Sequence, residues 1–195
     1  VHLTPPDRLA AEGFGGAWHG AMTVPVGFGL NPRKYHRGLA QMAGEAGARL
    51  FGQSPVTALA RDGRDWRLTT PRATVHAEQV ILATNGYSSE DLPDWLRGRT
   101  LPVLSSVIVT RPLSDADRAA QGWTTDQMAY DTRQLLHYFR ALPDGRFLFG
   151  MRGGLRATAA AQRAVSARIR RDFARLFPAW QGVEITHEWS GLGCL

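Results

Sequence analysis

Apolar residues recur at helical spacing in two stretches of the chain. The first follows Asn31-Pro32, where asparagine is suited to cap a helix and proline to its first turn. Between the two stretches, Ser114 opens a shorter predicted helix to Ala120 through a Ser-x-x-Asp pattern. The second stretch ends at Pro178 and carries five apolar residues along one face: Val165, Ile169, Phe173, Leu176 and Phe177.

Short apolar and β-branched runs predict strands between these helices. In the first half of the chain the candidates are 48–51, 56–60, 66–69, 75–77 and 79–83. A longer run follows at 103–110, and 135–140 with 146–149 flank the turn Pro143-Asp144-Gly145 as a hairpin. The last strand is predicted over 183–189. We therefore expect an α/β segment to about Arg99, then a mainly antiparallel sheet with a helix packed on it.

Composition narrows the class of protein without deciding its function. The chain has 195 residues, 44% of them hydrophobic and 21% charged, as in ordinary globular proteins. Its single cysteine, Cys194, excludes an internal disulfide and leaves a reducing cytoplasm as the default location. No apolar run reaches the length of a membrane span, and no histidine has metal-ligand spacing.

The net charge of +6 raises the possibility of a nucleic-acid partner. All basic residues except Lys34 are arginines, and they are spread along the whole chain. The densest group lies on the predicted long helix, where a solvated helix face is the more common explanation. We therefore expect no nucleic-acid partner and no membrane span.

The segment from Val80 to Gly86 has the character of a ligand-facing turn. Small residues let a backbone approach a bulky ligand closely, and glycine supplies a positive φ. Ligands of open α/β sheets lie beyond the carboxyl ends of the strands, where this turn is predicted. The alternative is a plain exit from a strand.

The predicted hairpin places Tyr138 and Arg140 two residues apart, so both side chains share one sheet face. An aromatic ring and a guanidinium held in this way suit stacking on a flat ring or clamping a carboxylate. The alternative is an ordinary solvated arginine close to the hairpin turn.

Four segments, in this order, resemble the D-amino-acid-oxidase-type FAD oxidoreductases, and in particular the branch with γ-glutamylputrescine oxidase-like enzymes. The resemblance runs from about Trp18 to the last residue. It is carried by Leu30-Asn31-Pro32, Ala83-Thr84-Asn85-Gly86-Tyr87, Tyr138-Phe139-Arg140 and Trp189-Ser190-Gly191-Leu192. It implies a partial Rossmann-like FAD-binding lobe over 1–100, a substrate-binding domain over 101–187, and a strand over 188–195 that returns to the first lobe.

The resemblance also assigns residues to the two parts of the site. Those implied near FAD are Val56, Ala83, Thr84, Asn85, Gly86, Trp189 and Gly191. Those implied near the substrate are Tyr130, Tyr138 and Arg140. It supplies no catalytic acid or base, and no metal.

Two departures from the family pattern affect the flavin site. The family opens with a strand and a G-x-G-x-x-G turn that binds the FAD pyrophosphate, and this chain has none. Gly13-Phe14-Gly15-Gly16 has neither a preceding apolar strand nor a following helix, so it is a poor substitute. The family also continues past the Trp-Ser-Gly strand into a segment that covers the flavin. We therefore expect an internal fragment.

The expected function is that of a parent enzyme that oxidises a C–N bond of a small amine or amino acid. Hydride would pass to FAD, the imine would hydrolyse, and oxygen or another acceptor would reoxidise the flavin. Gly193 stands where amino-acid oxidases of this family often have a carboxylate-binding arginine, which favours an amine substrate or an amino acid bound differently. The alternatives are an inactive fragment or paralogue that binds no flavin and, more remotely, a basic nucleic-acid-associated domain.

Overall fold

The computed structural model describes residues 1–155 and 158–194, which form two compact units. The first unit combines Val1–Phe28 with Pro102–Gly193, and the second comprises Gly29–Leu101. Residues 1–28 and the final strand as far as Gly193 belong to the first unit. The domain bounds expected from the sequence stay a prediction.

The first unit begins with a short strand β1 (His2–Thr4), a single helical turn α1 (Pro6–Leu9) and strand β2 (Ala21–Thr23). The two strands pair antiparallel, with Leu3 opposite Met22.

The second unit consists of one helix and one small sheet. Helix α2 spans Pro32–Glu45, and the Asn31 side chain accepts a 3.0 Å hydrogen bond from the Lys34 N–H, which confirms the predicted cap. Strands β3 (Ala58–Asp62), β4 (Asp65–Thr69) and β5 (Thr74–Ala77) form an antiparallel meander. Two short 3₁₀ turns follow, at Asn85–Tyr87 and Asp94–Leu96.

Two strands predicted in this unit, over 48–51 and 79–83, are wrong: the backbone there is irregular. A strand needs a neighbour to pair its N–H and C=O groups, and the three sheets in the described part of the chain include no neighbour for either run. Ile81 is accordingly 90% exposed. The apolar residues of these runs do not show whether a neighbouring strand is available for pairing.

The remainder of the first unit builds a five-stranded sheet and two helices. Its elements are β6 (Pro102–Thr110), α3 (Asp115–Gln121), β7 (Ala129–Tyr130), β8 (His137–Ala141), β9 (Phe147–Arg152), α4 (Ala159–Leu176), a 3₁₀ turn (Pro178–Trp180) and β10 (Ile185–Cys194). The strand order is β10-β6-β9-β8-β7, and the pairs β6–β9, β9–β8 and β8–β7 are antiparallel. The predicted mixed α and β fold is confirmed.

Helix α4 packs on one face of this sheet and closes an aromatic core. Ile169 and Phe173 of α4 are buried, as is Phe177 just beyond it. The ring centroids of Phe149 and Phe173 lie 5.6 Å apart in an edge-to-face arrangement, which adds to the gain from burial. Because side chains alternate along a strand, Phe139 and Phe149 face this core while their neighbours face the other side.

The glycine cluster near residue 15 has a packing role. A Cβ on Gly15 would lie 2.1 Å from the carbonyl oxygen of Gln121 and 2.4 Å from the carbonyl carbon of Gly122. The Gly15 N–H donates to the Gly122 carbonyl at 2.8 Å, which holds the N-terminal segment against the end of α3. Glycine is required here because two backbones touch.

We expect Gly15→Ala to destabilise the first unit, since a methyl group there must displace backbone. Overpacking of this kind costs about 1–3 kcal/mol, which corresponds to a fall in Tm of roughly 2–12 °C for a chain of this size. Thermal unfolding followed by circular dichroism measures the change. Gly182→Ala is the matched control, because no atom lies within 4 Å of its added Cβ. Equal Tm values for the two variants would contradict the close-packing argument.

The start of α3 is fixed by reciprocal hydrogen bonds and one ion pair. Ser114 Oγ accepts from the Asp117 N–H at 3.1 Å, and the Asp117 carboxylate accepts from the Ser114 N–H at 2.8 Å. Arg111 Nη1 donates to Asp117 Oδ2 at 2.8 Å. The hydrogen bond from the Arg111 guanidinium, followed by those from Ser114, lowers the pKa of the Asp117 carboxyl well below its usual 3.8.

Asp117→Asn should lower Tm, and the loss should depend on pH. Because the pKa is lowered in the folded state, the ionised carboxylate stabilises the fold fully above about pH 3.8, and this contribution declines as the pH falls towards the lowered pKa. The Tm difference from the wild type should thus be constant between about pH 7 and 5 and shrink below about pH 4. Asp115→Asn, at an exposed position of the same turn, is the control. A Tm difference that grows in acid would refute this assignment.

Candidate functional site

The face of the five-stranded sheet opposite α4, called here the distal face, collects half of the predicted site residues. Tyr130 pairs with Tyr138 across β7 and β8, and Tyr138 pairs with Gly150 across β8 and β9. Directly paired residues share a face, and Arg140 lies two positions from Tyr138 on the same strand. The predicted common face of Tyr138 and Arg140 follows from this register.

Tyr138 is held in place by a glycine and a hydroxyl group. A Cβ on Gly150 would lie 2.1 Å from the Tyr138 ring, so the ring crosses β9 where that strand has no side chain. Beyond Gly150, the Tyr138 hydroxyl lies 2.8 Å from Ser105 Oγ on β6. The ring is therefore anchored at both ends on the distal face.

Arg140 is half-buried and lies opposite Leu148. Its guanidinium makes no hydrogen bond or ion pair with the described residues, so it is available to a ligand. Tyr130, on the edge strand, is largely exposed. A flat aromatic surface and an uncommitted cation thus lie on one face, which suits a small molecule carrying a negative group.

Strand β10 brings Trp189 and Gly191 to the same face. Ser190 Oγ lies 2.7 Å from Ser106 Oγ, and Ser106 faces the core side with its neighbour Ile108. By strand alternation, Trp189 and Gly191 face the distal side. Trp189 is 50% exposed.

The second unit holds the other predicted flavin residues. Val56 precedes β3 in an irregular segment and is 38% exposed. The sequence predicted that the turn from Ala83 to Gly86 ends a strand, and this is wrong because 79–83 is not a strand. Asn85 takes a positive φ of 49°, and its Oδ1 accepts from the Gly86 N–H at 2.7 Å.

Thr84 and Asn85 line a hollow of about 230 Å³ together with Leu82, Ser88, Trp95, Leu96 and Thr100. Pockets for drug-sized ligands measure about 300–1,000 Å³, so this hollow is too small for a dinucleotide. Within the described residues no glycine-rich turn joins a strand to a helix N-terminus to hold a pyrophosphate. The second unit by itself therefore does not fit FAD as a complete site.

Two polar groups in the first unit were not predicted. One is Ser105, whose contact with Tyr138 is described above. The other is His137, which is 1% exposed, with Nδ1 lying 2.7 Å from Asp131 Oδ2 and Nε2 lying 3.2 Å from Asp172 Oδ2. An imidazole donates to both carboxylates only with both nitrogens protonated. His137 stacks on Phe149 in the core, so it joins β8 to α4 and lies away from the distal face.

None of the helices in the described part of the chain combines the length and apolar character needed to cross a bilayer.

Known proteins resemble this chain in sequence. A probable oxidoreductase OrdL of Rhizobium meliloti is 32% identical over 162 residues, which cover 83% of this chain and 36% of that protein. The γ-glutamylputrescine oxidoreductase of Escherichia coli is 28% identical over 191 residues, which cover 98% of this chain and 44% of that protein. The chain thus spans well under half the length of these relatives.

Solved structures show a similar fold. Glycine oxidase from Bacillus cereus superposes with a TM-score of 0.74 at 16% identity, over 99% of this chain and 52% of that one. L-amino acid deaminase from Proteus vulgaris gives a TM-score of 0.63 at 16% identity, over 100% of this chain and 48% of that one.

The family model described as FAD dependent oxidoreductase matches residues 2–195, nearly the whole chain. The chain therefore belongs to the FAD-dependent oxidoreductase family.

Proposed function

We propose that the protein containing this chain oxidises a C–N bond of a small amine or amino acid. The bound FAD would accept the two electrons, and the imine product would hydrolyse. Oxygen or another acceptor would then reoxidise the flavin. Family membership supports the cofactor class, and the distal face supports a small-molecule substrate.

The observation that carries this proposal is the shared face of Tyr138, Arg140 and Trp189. Arg140 is half-buried as a residue, and its guanidinium makes no hydrogen bond or ion pair with the described residues. A bound anionic group would give it a charge-assisted partner. The distal face is therefore proposed as the substrate side, with Tyr130 and Tyr138 as aromatic walls and Arg140 as the cation.

The substrate proposed for Arg140 is an amine that carries a distal carboxylate, as a γ-glutamyl compound does. Gly193 has no side chain with which to hold a carboxylate, so another cation has to provide that contact. Arginine suits this role because its planar fork pairs with both carboxylate oxygens.

For the flavin, we propose contacts from the residues that the family resemblance implies: Val56, Ala83, Thr84, Asn85 and Gly86 in the second unit, and Trp189 and Gly191 on β10. In this role the backbone of the turn would approach the dinucleotide closely, and Trp189 would offer a flat surface to it.

A second candidate function is that of a chain that binds no flavin by itself. The hollow of about 230 Å³ beside Thr84 and the exposed Val56 favour it, since neither encloses a dinucleotide. This candidate concerns the 195 residues alone and is compatible with FAD binding by a longer protein that includes them.

The remote nucleic-acid alternative is weakened by the ion pairs of α4. Arg170 pairs with Glu188 of β10 at 2.6 Å, and Asp172 lies 3.3 Å from Arg175 and 3.6 Å from Arg168. Arginines that pair within the chain are less available to phosphates. These contacts support a solvated, internally paired helix face.

We expect the 195-residue chain to bind free FAD weakly or not at all. Oriented N–H groups at a helix N-terminus supply much of pyrophosphate recognition, and the described residues include no such glycine-rich turn. Titration followed by FAD fluorescence measures the affinity. A full-length protein that contains the chain is the positive control and should purify with flavin absorbance. Tight, stoichiometric binding by the chain alone would show that the pyrophosphate turn is dispensable.

Arg140→Ala in the full-length protein should lower kcat/KM for a carboxylate-bearing amine by roughly tenfold or more, equivalent to about 1.4 kcal/mol. The physical reason is the loss of a charge-assisted pair with the distal carboxylate. Steady-state oxidation of the amine, with flavin content measured in parallel, provides the readout.

The matched control for that experiment is Arg67→Ala, at an exposed position of the central strand β4. An amine without the carboxylate should be oxidised equally by the wild type and by Arg140→Ala. Unchanged kinetics of Arg140→Ala on both substrates, with normal flavin content, would leave Arg140 as a surface residue.

A further inference from the structure

A buried polar contact ties helix α4 to the sheet at His137. The imidazole Nδ1 lies 2.7 Å from Asp131 Oδ2, and Nε2 lies 3.2 Å from Asp172 Oδ2. Asp131 follows β7 and Asp172 lies on α4, and the side chains of both are mostly buried. Two separate elements therefore meet β8 at one titratable ring.

Each of the two carboxylates also has guanidinium partners. These lie within 3.6 Å of a carboxylate oxygen: Arg133 at Asp131, and Arg168 and Arg175 at Asp172. From β9, the ring of Phe149 stacks on His137 with the centroids 5.1 Å apart and brings no charge. Guanidinium groups stay charged throughout the range in which histidine titrates, so these ion pairs persist when His137 changes charge.

The protonation state of His137 decides how many of the two carboxylate contacts the ring can make. The imidazolium carries an N–H at both nitrogens, so it can donate to both carboxylates. The neutral ring carries one N–H, and its other nitrogen turns a lone pair towards a carboxylate oxygen. One of the two contacts is then repulsive.

Asp131 is the carboxylate that the neutral ring keeps. Its Oδ1 accepts the backbone N–H groups of His137 at 3.0 Å and of Arg133 at 3.3 Å, which fixes the carboxylate beside Nδ1. The Nδ1 contact is also the shorter of the two. Loss of the proton from Nε2 therefore removes the contact with Asp172 and, with it, this link to α4.

We infer that His137 is a pH-dependent clasp between strand β8 and helix α4. The imidazolium closes the clasp, and loss of the Nε2 proton opens it. Because the closed state holds the additional proton, the contact is complete at low pH and is lost as the pH rises through the titration of His137. Asp172 keeps its arginine partners in the open state, so opening does not leave that carboxylate unpaired.

The clasp acts on the distal face through the core behind it. His137 adjoins Tyr138 on β8, and Asp172 adjoins Phe173, which belongs to the aromatic core. The strand that carries Tyr138 and Arg140 is thereby linked to the helix packed on its other face. Low pH should hold β8 and α4 together, and higher pH should loosen this contact. This regulation goes beyond the proposed function and does not depend on it.

Nitrogen NMR of the imidazole ring tests the order of proton loss. Both nitrogens of His137 should carry a proton at about pH 5, and at about pH 8 the proton should remain on Nδ1 alone. His36, which is exposed on α2, provides the solvent-accessible reference signal. A neutral His137 with its proton on Nε2 would overturn the clasp, because that tautomer keeps Asp172 and loses Asp131.

Hydrogen exchange of the α4 amides over residues 169–173 measures the clasp itself. After correction for the intrinsic exchange rate, wild-type protection should fall about tenfold or more from about pH 5 to about pH 8, since a hydrogen bond between charged groups is lost. In Asp172→Asn, the carboxamide can accept from the imidazolium and donate to the neutral ring. Protection in this variant should therefore be nearly independent of pH over the same range.

Glu188→Gln is the matched control, because it removes the ion pair between Arg170 of α4 and Glu188 without changing the His137 cluster. It should retain the wild-type pH dependence. If Asp172→Asn fails to fold, His137→Gln replaces the ring with an amide that does not titrate, and its protection should not depend on pH either. Wild-type protection that is constant from about pH 5 to about pH 8, or a pH dependence that persists in the variant, would overturn the inference.

Discussion

The burial of aromatic rings between the five-stranded sheet and helix α4 is the interaction on which the first unit depends. Phe149 and Phe177 are fully buried, and Phe173 and Trp180 pack beside them. Truncating one such ring costs about 3–5 kcal/mol, a large part of the 5–15 kcal/mol by which a domain is usually stable. This packing also fixes the sheet face that remains for function. Since Phe139 and Phe149 must face α4, Tyr138 and Arg140 must face away from it.

On the distal face, Gly150 determines where the ring of Tyr138 lies. Gly150 leaves the space that the Tyr138 ring occupies, and Ser105 binds the hydroxyl at the far end. The arrangement joins three neighbouring strands, β8, β9 and β6, through one aromatic residue. Tyr138 therefore has little freedom to move, which favours its use as a wall of a binding site.

Features that depend on residues close in the sequence could be predicted, whereas features that depend on residues far apart in the sequence could not. The caps at Asn31 and Ser114 depend on residues within three positions, and the faces of Tyr138 and Arg140 depend on strand periodicity. The Ser105–Tyr138 contact joins residues 33 apart, and His137 meets Asp172 35 residues away. Such pairs depend on sheet order, which periodicity does not specify. The false strand at 79–83 has the same origin, because an apolar run does not reveal whether a partner strand exists.

The two units differ in whether their apolar residues are buried. Every buried hydrophobic residue of the described chain belongs to the first unit, whereas the stripe of Tyr35, Leu39 and Met42 on α2 is exposed. Most helical stability in proteins comes from packing an apolar face rather than from propensity. In this structure α2 is therefore supported mainly by its cap and backbone hydrogen bonds. The residues proposed for substrate consequently lie on the unit with the aromatic core, and the turn proposed for flavin lies on the unit without an apolar core. The side chains of the distal face are thus positioned by the packed aromatic core of the same unit.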